Sequence, residues 1–274
     1  MQTIWDQAID EWCRWLLAAG HAPGTRRLRR YHLSRFSREV GERSPWELTL
    51  DDIVGILARP GWSPETRRSA RSSLTCFYRW AVAAGRVGHN PAALSPTVTV
   101  RAGTPRPAPE NILRASVADA DDRVRLMLRL AACEGLRRCE ICKVHVDEVV
   151  QAVDGTWELT VVGKGDKRRQ IPLLDDLARE LQRVGAASPT GYVFPGQING
   201  HLSAAYVGKL MSQALPTGWT AHTLRHRFAS AAYAAERDIR AVQELLGHAD
   251  VRTTQIYTAV PADAKRRAVL GAVA

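Results

Sequence analysis

Lysine is almost missing from this chain. Of the 38 Lys and Arg among 274 residues, only Lys143, Lys164, Lys167, Lys209 and Lys265 are lysines. Arginine serves wherever any cation would do, so each retained lysine raises the question of what a titratable ammonium does there. Long apolar runs are missing too. Nothing approaches the roughly 18 apolar residues of a membrane span, and the N-terminus lacks the layout of a secretory leader. The expected setting is cytoplasmic, with no membrane partner. Cysteine is scarce: Cys13, Cys76, Cys133, Cys139 and Cys142 are odd in number and scattered, which argues against a disulfide framework. Cys139, Cys142 and His145 fall at helical spacing but lack a fourth ligand nearby. Buried free cysteine behaves as a small hydrophobe, so core packing is expected there and no metal site.

What is abundant is positive charge. The 38 basic residues stand against 28 acidic ones, a formal charge of +10. Such an excess is the electrostatic footprint of a phosphate-bearing partner, which is bound through neutralised phosphates and released counterions. Basic soluble proteins without that function also exist, so the charge points to nucleic acid without deciding it. The length is that of two domains, each able to bury its own core.

Residues 1–95 read as a small helical domain. Ile4, Trp5, Ala8, Ile9, Trp12 and Leu16 recur with helical period. Leu28, Tyr31 and Phe36 predict the apolar side of a second helix among Arg26, Arg27, Arg29, Arg30, Arg35 and Arg38. Ser63-Pro64-Glu65 is a helix start, with serine as cap and proline in the first turn. That helix carries Ala70, Leu74, Phe77 and Ala81 on one side and Arg67, Arg68 and Arg71 on the other. Two arginine-faced helices in one small domain favour a DNA-facing surface over a merely solvated one. Arg26, Arg27, Arg30, Arg67, Arg68 and Arg71 are its candidate contacts. A Pro-rich linker is expected at 96–109, an extended spacer in which Arg101 and Arg106 suit either solvent or a phosphate backbone.

The remainder, 110–274, reads as α+β: mainly helical with a small antiparallel sheet. Leu126–Leu136 predicts a buried helix. Val144–Val153 and Trp157–Val162 are short β-branched runs around Asp154-Gly155, a two-residue turn signal. Gly163-Lys164-Gly165-Asp166-Lys167 predicts a second turn before a strand at Arg169–Leu173, and helices are expected from there on. The lysine-bearing turn is not a P-loop, which needs Ser or Thr after the lysine and then a helix. It reads as a hairpin tip presenting Lys164 and Lys167 to a ligand, or as a plain solvated turn.

The chemistry concentrates late in the chain. His222 and Arg225 lie three apart on one helical face, His248 follows a Leu-Gly helix terminator, and Tyr257 comes nine residues later. A phenol has a free pKa of about 10 and becomes a useful nucleophile only beside a base and a cationic cage. Arg137, at the end of an apolar helix, needs an anion, and Glu140 is either its salt-bridge partner or the group that aims it at a phosphate. Together these residues point to covalent phosphoryl transfer.

The order and spacing of Gly-Leu-Arg-Arg-Cys-Glu at 135–140, Gly-Lys-Gly-Asp-Lys at 163–167, His-Thr-Leu-Arg-His-Arg-Phe-Ala at 222–229 and Leu-Leu-Gly-His-Ala-Asp-Val-Arg-Thr-Thr-Gln-Ile-Tyr at 245–257 resemble the tyrosine recombinase (phage integrase) family. The N-terminal part, with Ser-Pro-Glu-Thr at 63–66 and Gly-His-Asn-Pro-Ala at 88–92, is similar to that family's helical core-site-binding domain. Cys139 stands where family members usually carry serine.

The resemblance implies a set of roles. Tyr257 attacks the scissile phosphodiester to leave a 3′-phosphotyrosyl link and a free 5′-hydroxyl. Arg137 and Arg225 clamp the non-bridging oxygens, a bidentate task suited to arginine. Lys164 protonates the departing 5′-oxygen, which accounts for a retained lysine. His222 helps move the tyrosine proton, His248 donates to the phosphate, Glu140 supports, and Lys167 contacts DNA. No cofactor, ATP or metal is implied, because the bond energy is kept in the phosphotyrosine. The implied partners are double-stranded core sites, a homotetramer on that DNA and a possible directionality factor, with the protein nucleoid-associated when bound. Integration and excision of a phage or mobile element is the first expectation. A Xer-type dimer resolvase is the runner-up, ahead of a type IB topoisomerase and a non-catalytic DNA binder. Binding through core sites alone is also expected.

Overall fold

The computed structural model describes residues 3–100, 105–163 and 167–247, and it divides the chain into two compact units, 1–102 and 103–274. In the first unit, α1 (Ile4–Ala18), α2 (Pro23–Val40), α3 (Leu50–Leu57) and α4 (Pro64–Ala83) pack around an aromatic centre. A capping box starts α1: the Asp6 amide donates to the Thr3 hydroxyl and the Thr3 amide to the Asp6 carboxylate. At the start of α4 Ser63 accepts from the Thr66 amide at 3.2 Å, and Pro64 takes the first helical position, as the sequence predicts.

Trp12 and Phe77 are fully buried and meet edge to face at 5.4 Å, while Trp46 stacks on Phe77 at 5.9 Å. Edge-to-face and offset contacts of this kind add about 0.5–1.5 kcal/mol per pair beyond area burial. The apolar side of α2 departs from expectation. Its buried residues are His32, Leu33 and Phe36, whereas Leu28 and Tyr31 are exposed. The His32 ring nitrogen Nδ1 pairs with the Ser73 hydroxyl at 2.8 Å. A satisfied histidine can therefore sit in the core, and the stripe rotates away from Leu28 and Tyr31.

The second unit is α+β, mainly helical with a three-stranded antiparallel sheet. It begins with α5 (Glu110–Asp119), α6 (Asp122–Cys133) and the short α7 (Arg138–Ile141). The sheet follows in the order β1 (Val149–Gln151), β2 (Trp157–Val162), β3 (Arg168–Leu173). Then come α8 (Asp175–Ala186), β4 (Pro195–Ile198), α9 (Ala204–Ala214), α10 (Ala221–Glu236) and α11 (Ile239–Leu246).

Three expectations need correcting here. The strand expected from Val144 begins only at Val149, because Val146–Glu148 forms a 3₁₀ turn capped by His145. The connection to β2 is longer than two residues: Gln151 pairs with Trp157, and the Ala152 amide closes the loop on the Thr156 carbonyl at 2.8 Å. The chain after β3 is also not purely helical, since β4 bridges to His201.

Residues 105–109, at the end of the expected linker, are packed within the second unit. The Ala108 amide donates to the Thr223 carbonyl at 3.1 Å, and the Arg106 guanidinium stacks 4.2 Å from the Trp219 ring centroid. None of the helices among the described residues is long and apolar enough to cross a membrane.

Candidate active site

The site is built where α6 ends. Gly135 closes that helix with a left-handed φ of 64°, which a side chain adopts only with strain. A Cβ there would also lie 2.4 Å from Cδ1 of Phe228, so only glycine fits. The tight exit aims the Gly135 carbonyl at Nη1 of Arg225, which donates to it. Two residues on, Arg137 caps the short helix α7. Its amide donates to Oε2 of Glu140 and its Nη1 to Oε1, both at 2.8 Å.

Glu140 is the hub. Its side chain is 1% exposed, and three arginines surround it. Arg169, from β3, donates through Nη1 and Nη2 at 3.0 and 2.9 Å; Arg225, from α10, stands 3.8 Å away. Burial alone would push the Glu140 carboxyl up. Hydrogen bonds and charge from Arg169, with the Arg137 amide, outweigh that effect and hold it below the usual carboxylate value. The hub is thus an ionised carboxylate, and stripping one partner from such a buried group costs about 3–5 kcal/mol.

The arginines differ in what they present. Arg225 is 3% exposed and also donates to the Leu246 carbonyl at 2.6 Å; Arg137 is 35% exposed and opens outward. Beside them, in the first two turns of α10, the rings of His222 and His226 meet at 4.2 Å, Nε2 to Nε2 at 3.0 Å. Nδ1 of His226 accepts the Arg106 amide at 3.2 Å. Neutral His226 then carries its proton on Nε2 and donates to His222. Burial, with the charges of Arg225 and Arg137, holds His222 below the ordinary imidazole pKa. Burial, then His222 and Arg225, pushes His226 down to about 4. Both rings are therefore neutral bases near pH 7, next to guanidiniums.

Of the expected site residues, the structure brings together Arg137, Glu140, His222 and Arg225. Lys164, His248 and Tyr257 lie outside the described residues. The strand ends that flank Lys164 are held by the Gly163 amide on the Lys167 carbonyl at 2.8 Å, and Lys167 itself is exposed. Helix α11, which precedes His248, ends on Gly247 in the left-handed conformation, as the Leu-Gly signal predicts.

Sequence reasoning missed Arg169 and His226. A signal for Arg169 was available: it alternates with Ile171 and Leu173 and lies opposite Val161, all three buried, so it is an arginine on the apolar face of a strand. Among the cysteines, Cys142 is buried as expected, but Cys139 is exposed beside Glu140.

In the first unit the candidate DNA contacts divide. Arg67 spends its guanidinium on the carbonyls of Trp62, Leu57 and Arg59, and Arg71 donates twice to the Ser95 carbonyl. Arg26 donates to the His21 carbonyl, Arg30 pairs with Asp10, and Arg27 and Arg68 are exposed. Helix-end and loop carbonyls, which an intrahelical donor does not reach, take Arg26, Arg67 and Arg71. That leaves Arg27 and Arg68 as the more outward of the six.

The profile described as Phage integrase family matches residues 109–263. The chain is 34% identical to the tyrosine recombinase XerC of Xanthomonas campestris pv. campestris (strain B100), over 76% of this chain and 68% of that one. It is 30% identical to the tyrosine recombinase XerC of Rhodospirillum centenum, over 94% and 84%. The chain belongs to the phage integrase family. It is a site-specific tyrosine recombinase, an enzyme acting on DNA. Its fold matches a lambda integrase dimer bound to a COC′ core site, with TM-score 0.71 and 19% identity over 92% of this chain and 76% of that one. It also matches the XerH recombinase bound to palindromic difH substrate, with TM-score 0.68 and 18% identity over 95% and 83%. At these identities the two structures speak for the recombinase fold alone.

Proposed function

We propose that this recombinase is of the Xer type, resolving dimers of a chromosome or plasmid, rather than the integrase of a phage or mobile element. The observation that carries this reading is the likeness to XerC proteins across most of the chain. It reverses the order in which the sequence placed the two. In the proposed reaction Tyr257 attacks the scissile phosphodiester, forming the 3′-phosphotyrosyl bond as the bond to the 5′-oxygen breaks. Arg137 and Arg225 hold the non-bridging oxygens, and Lys164 gives its proton to the leaving 5′-oxygen. His222, a neutral base, takes the tyrosine proton, and His248 donates to the phosphate. The reverse attack by a partner strand's 5′-hydroxyl rejoins the DNA. Two rounds on paired sites pass through a Holliday junction, which calls for four protomers. The convergence of Arg137 and Arg225 on one ionised carboxylate supports this arrangement, because it holds two cations side by side.

The test is covalent capture. Protein denatured while acting on DNA from its own cell should carry DNA attached at Tyr257, and sequencing that DNA names the site. Recovery of one recurrent chromosomal or plasmid site supports the resolvase reading. Recovery of junctions between a mobile element and its host would return the assignment to integration. Tyr257→Phe should bind the same DNA with unchanged affinity and form no adduct; adduct in that variant would remove Tyr257 as nucleophile.

A further inference from the structure

One carboxylate and three guanidiniums meet at the hub, and they share it unevenly. Arg169 grips Glu140 with both terminal amino groups, at 3.0 and 2.9 Å, and its Nε donates to the Leu245 carbonyl in the last turn of α11 at 2.8 Å. The backbone of Gly247 packs on the same guanidinium so closely that a Cβ there would sit 3.0 Å from Nη1. Every edge of Arg169 is thus used inside the protein. Arg137 gives Glu140 a single amino group and opens outward, and Arg225 stays 3.8 Å off.

A buried carboxylate draws whatever cation can reach it, and a guanidinium engaged side-on with a carboxylate cannot also present that edge to a phosphate. Without Arg169, the cations left to satisfy Glu140 among the described residues are Arg137 and Arg225. We propose that Arg169 is a positioning residue for phosphate recognition: it occupies Glu140 in bidentate fashion so that Arg137 and Arg225 remain turned to the phosphodiester, and it pins the end of α11, after which His248 and Tyr257 follow. This inference rests on the reading of Arg137 and Arg225 as the phosphate clamp, and it gives β3 a part in the site separate from that of the lysine turn before it.

Two measurements on the full chain test it. The first follows the Nε–H resonances of Arg137 and Arg225 in ¹⁵N-labelled protein during titration with inorganic phosphate. Arg169→Met should weaken phosphate binding by about tenfold or more relative to the unsubstituted protein. Adding Glu140→Gln to that variant removes the uncompensated charge and should recover most of the loss, which a purely structural role for Arg169 would not allow. Equal affinity in Arg169→Met and the unsubstituted protein overturns the proposal. So does a double variant as weak as the single one, and so does the absence of any saturable response in the unsubstituted protein. If Arg169→Met does not fold, Arg169→Lys decides, since it keeps the charge but loses the fork: weaker phosphate binding supports the proposal and unchanged binding overturns it. The second measurement is adduct formation on the captured DNA. Adduct from the unsubstituted protein together with undiminished adduct from Arg169→Met overturns the proposal and leaves the recombinase mechanism standing. No adduct from the unsubstituted protein overturns the mechanism, while the ranking of phosphate affinities still decides Arg169.

Discussion

Single residues at this site answer to more than one constraint. Gly135 must adopt a left-handed φ, must leave room for Phe228, and must offer its carbonyl to Arg225. Gly135→Ala is therefore expected to cost about 1–2 kcal/mol from backbone strain, and more from the displaced phenyl ring. Denaturant unfolding would measure it, and a loss below that range would show that the turn relaxes. His226 is constrained by charge. Burial, then His222 and Arg225, pushes its pKa down from the ordinary 6.5 to about 4. Between those values the unfolded chain takes up a proton that the folded chain refuses, so the site's stability is complete above about pH 6.5 and falls as the pH drops toward 4. The thermal midpoint should decline from pH 7.5 to 5, and decline less in His226→Gln, which cannot titrate. Identical pH profiles for the two proteins would exclude His226 as a source of the decline.

Among elements, the aromatic centre of the first unit carries its cohesion. Phe77 on α4 is fully buried and lies against Trp5, Trp12, Trp46 and Trp80. Phe77→Ala removes the ring that all four share and should destabilise the protein by about 3–5 kcal/mol. Calorimetry should show a lowered transition for this unit; an unchanged trace would mean that the surrounding rings close the cavity. Helix α11 is the opposite case, eight residues long and too short to persist alone. What holds its C-terminal carbonyls is arginine from elsewhere, Arg169 on Leu245 and Arg225 on Leu246. The order of that terminus thus depends on the same two side chains that surround Glu140.

For the whole molecule, the reaction proposed here needs protomers brought together on DNA. The 17 residues after Tyr257 include Val260, Val269, Leu270 and Val273 beside Arg266 and Arg267, a pattern of a short amphipathic segment. Such a segment is stable only when its apolar side is covered, and a second copy of the chain is the proposed cover. Removing everything after Ala259 is expected to leave binding to one core site intact and to abolish the paired complex and recombination. Gel shifts with one and with two sites would show this, and a truncated protein that still pairs sites and recombines at the normal rate would refute it.

Most of the elements, and the family, were legible in the sequence because the signals are local. Ser63-Pro64 starts a helix through its own hydroxyl and ring, Leu246-Gly247 ends one through a left-handed glycine, and the alternation in 157–173 sets the faces of two strands. The arginine and histidine motifs could be read as chemistry because their order and spacing resemble those of the phage integrase family. What tertiary structure alone decided was how charge is shared. No local pattern distinguishes Arg67 and Arg71, spent on loop carbonyls, from Arg68, which is exposed. Nor does one say that Arg169 rather than Arg137 takes the larger share of Glu140. The energy of a buried ion pair depends on distance, on burial and on every competing donor within reach, and those are set only when β3, α7, α10 and α11 come together.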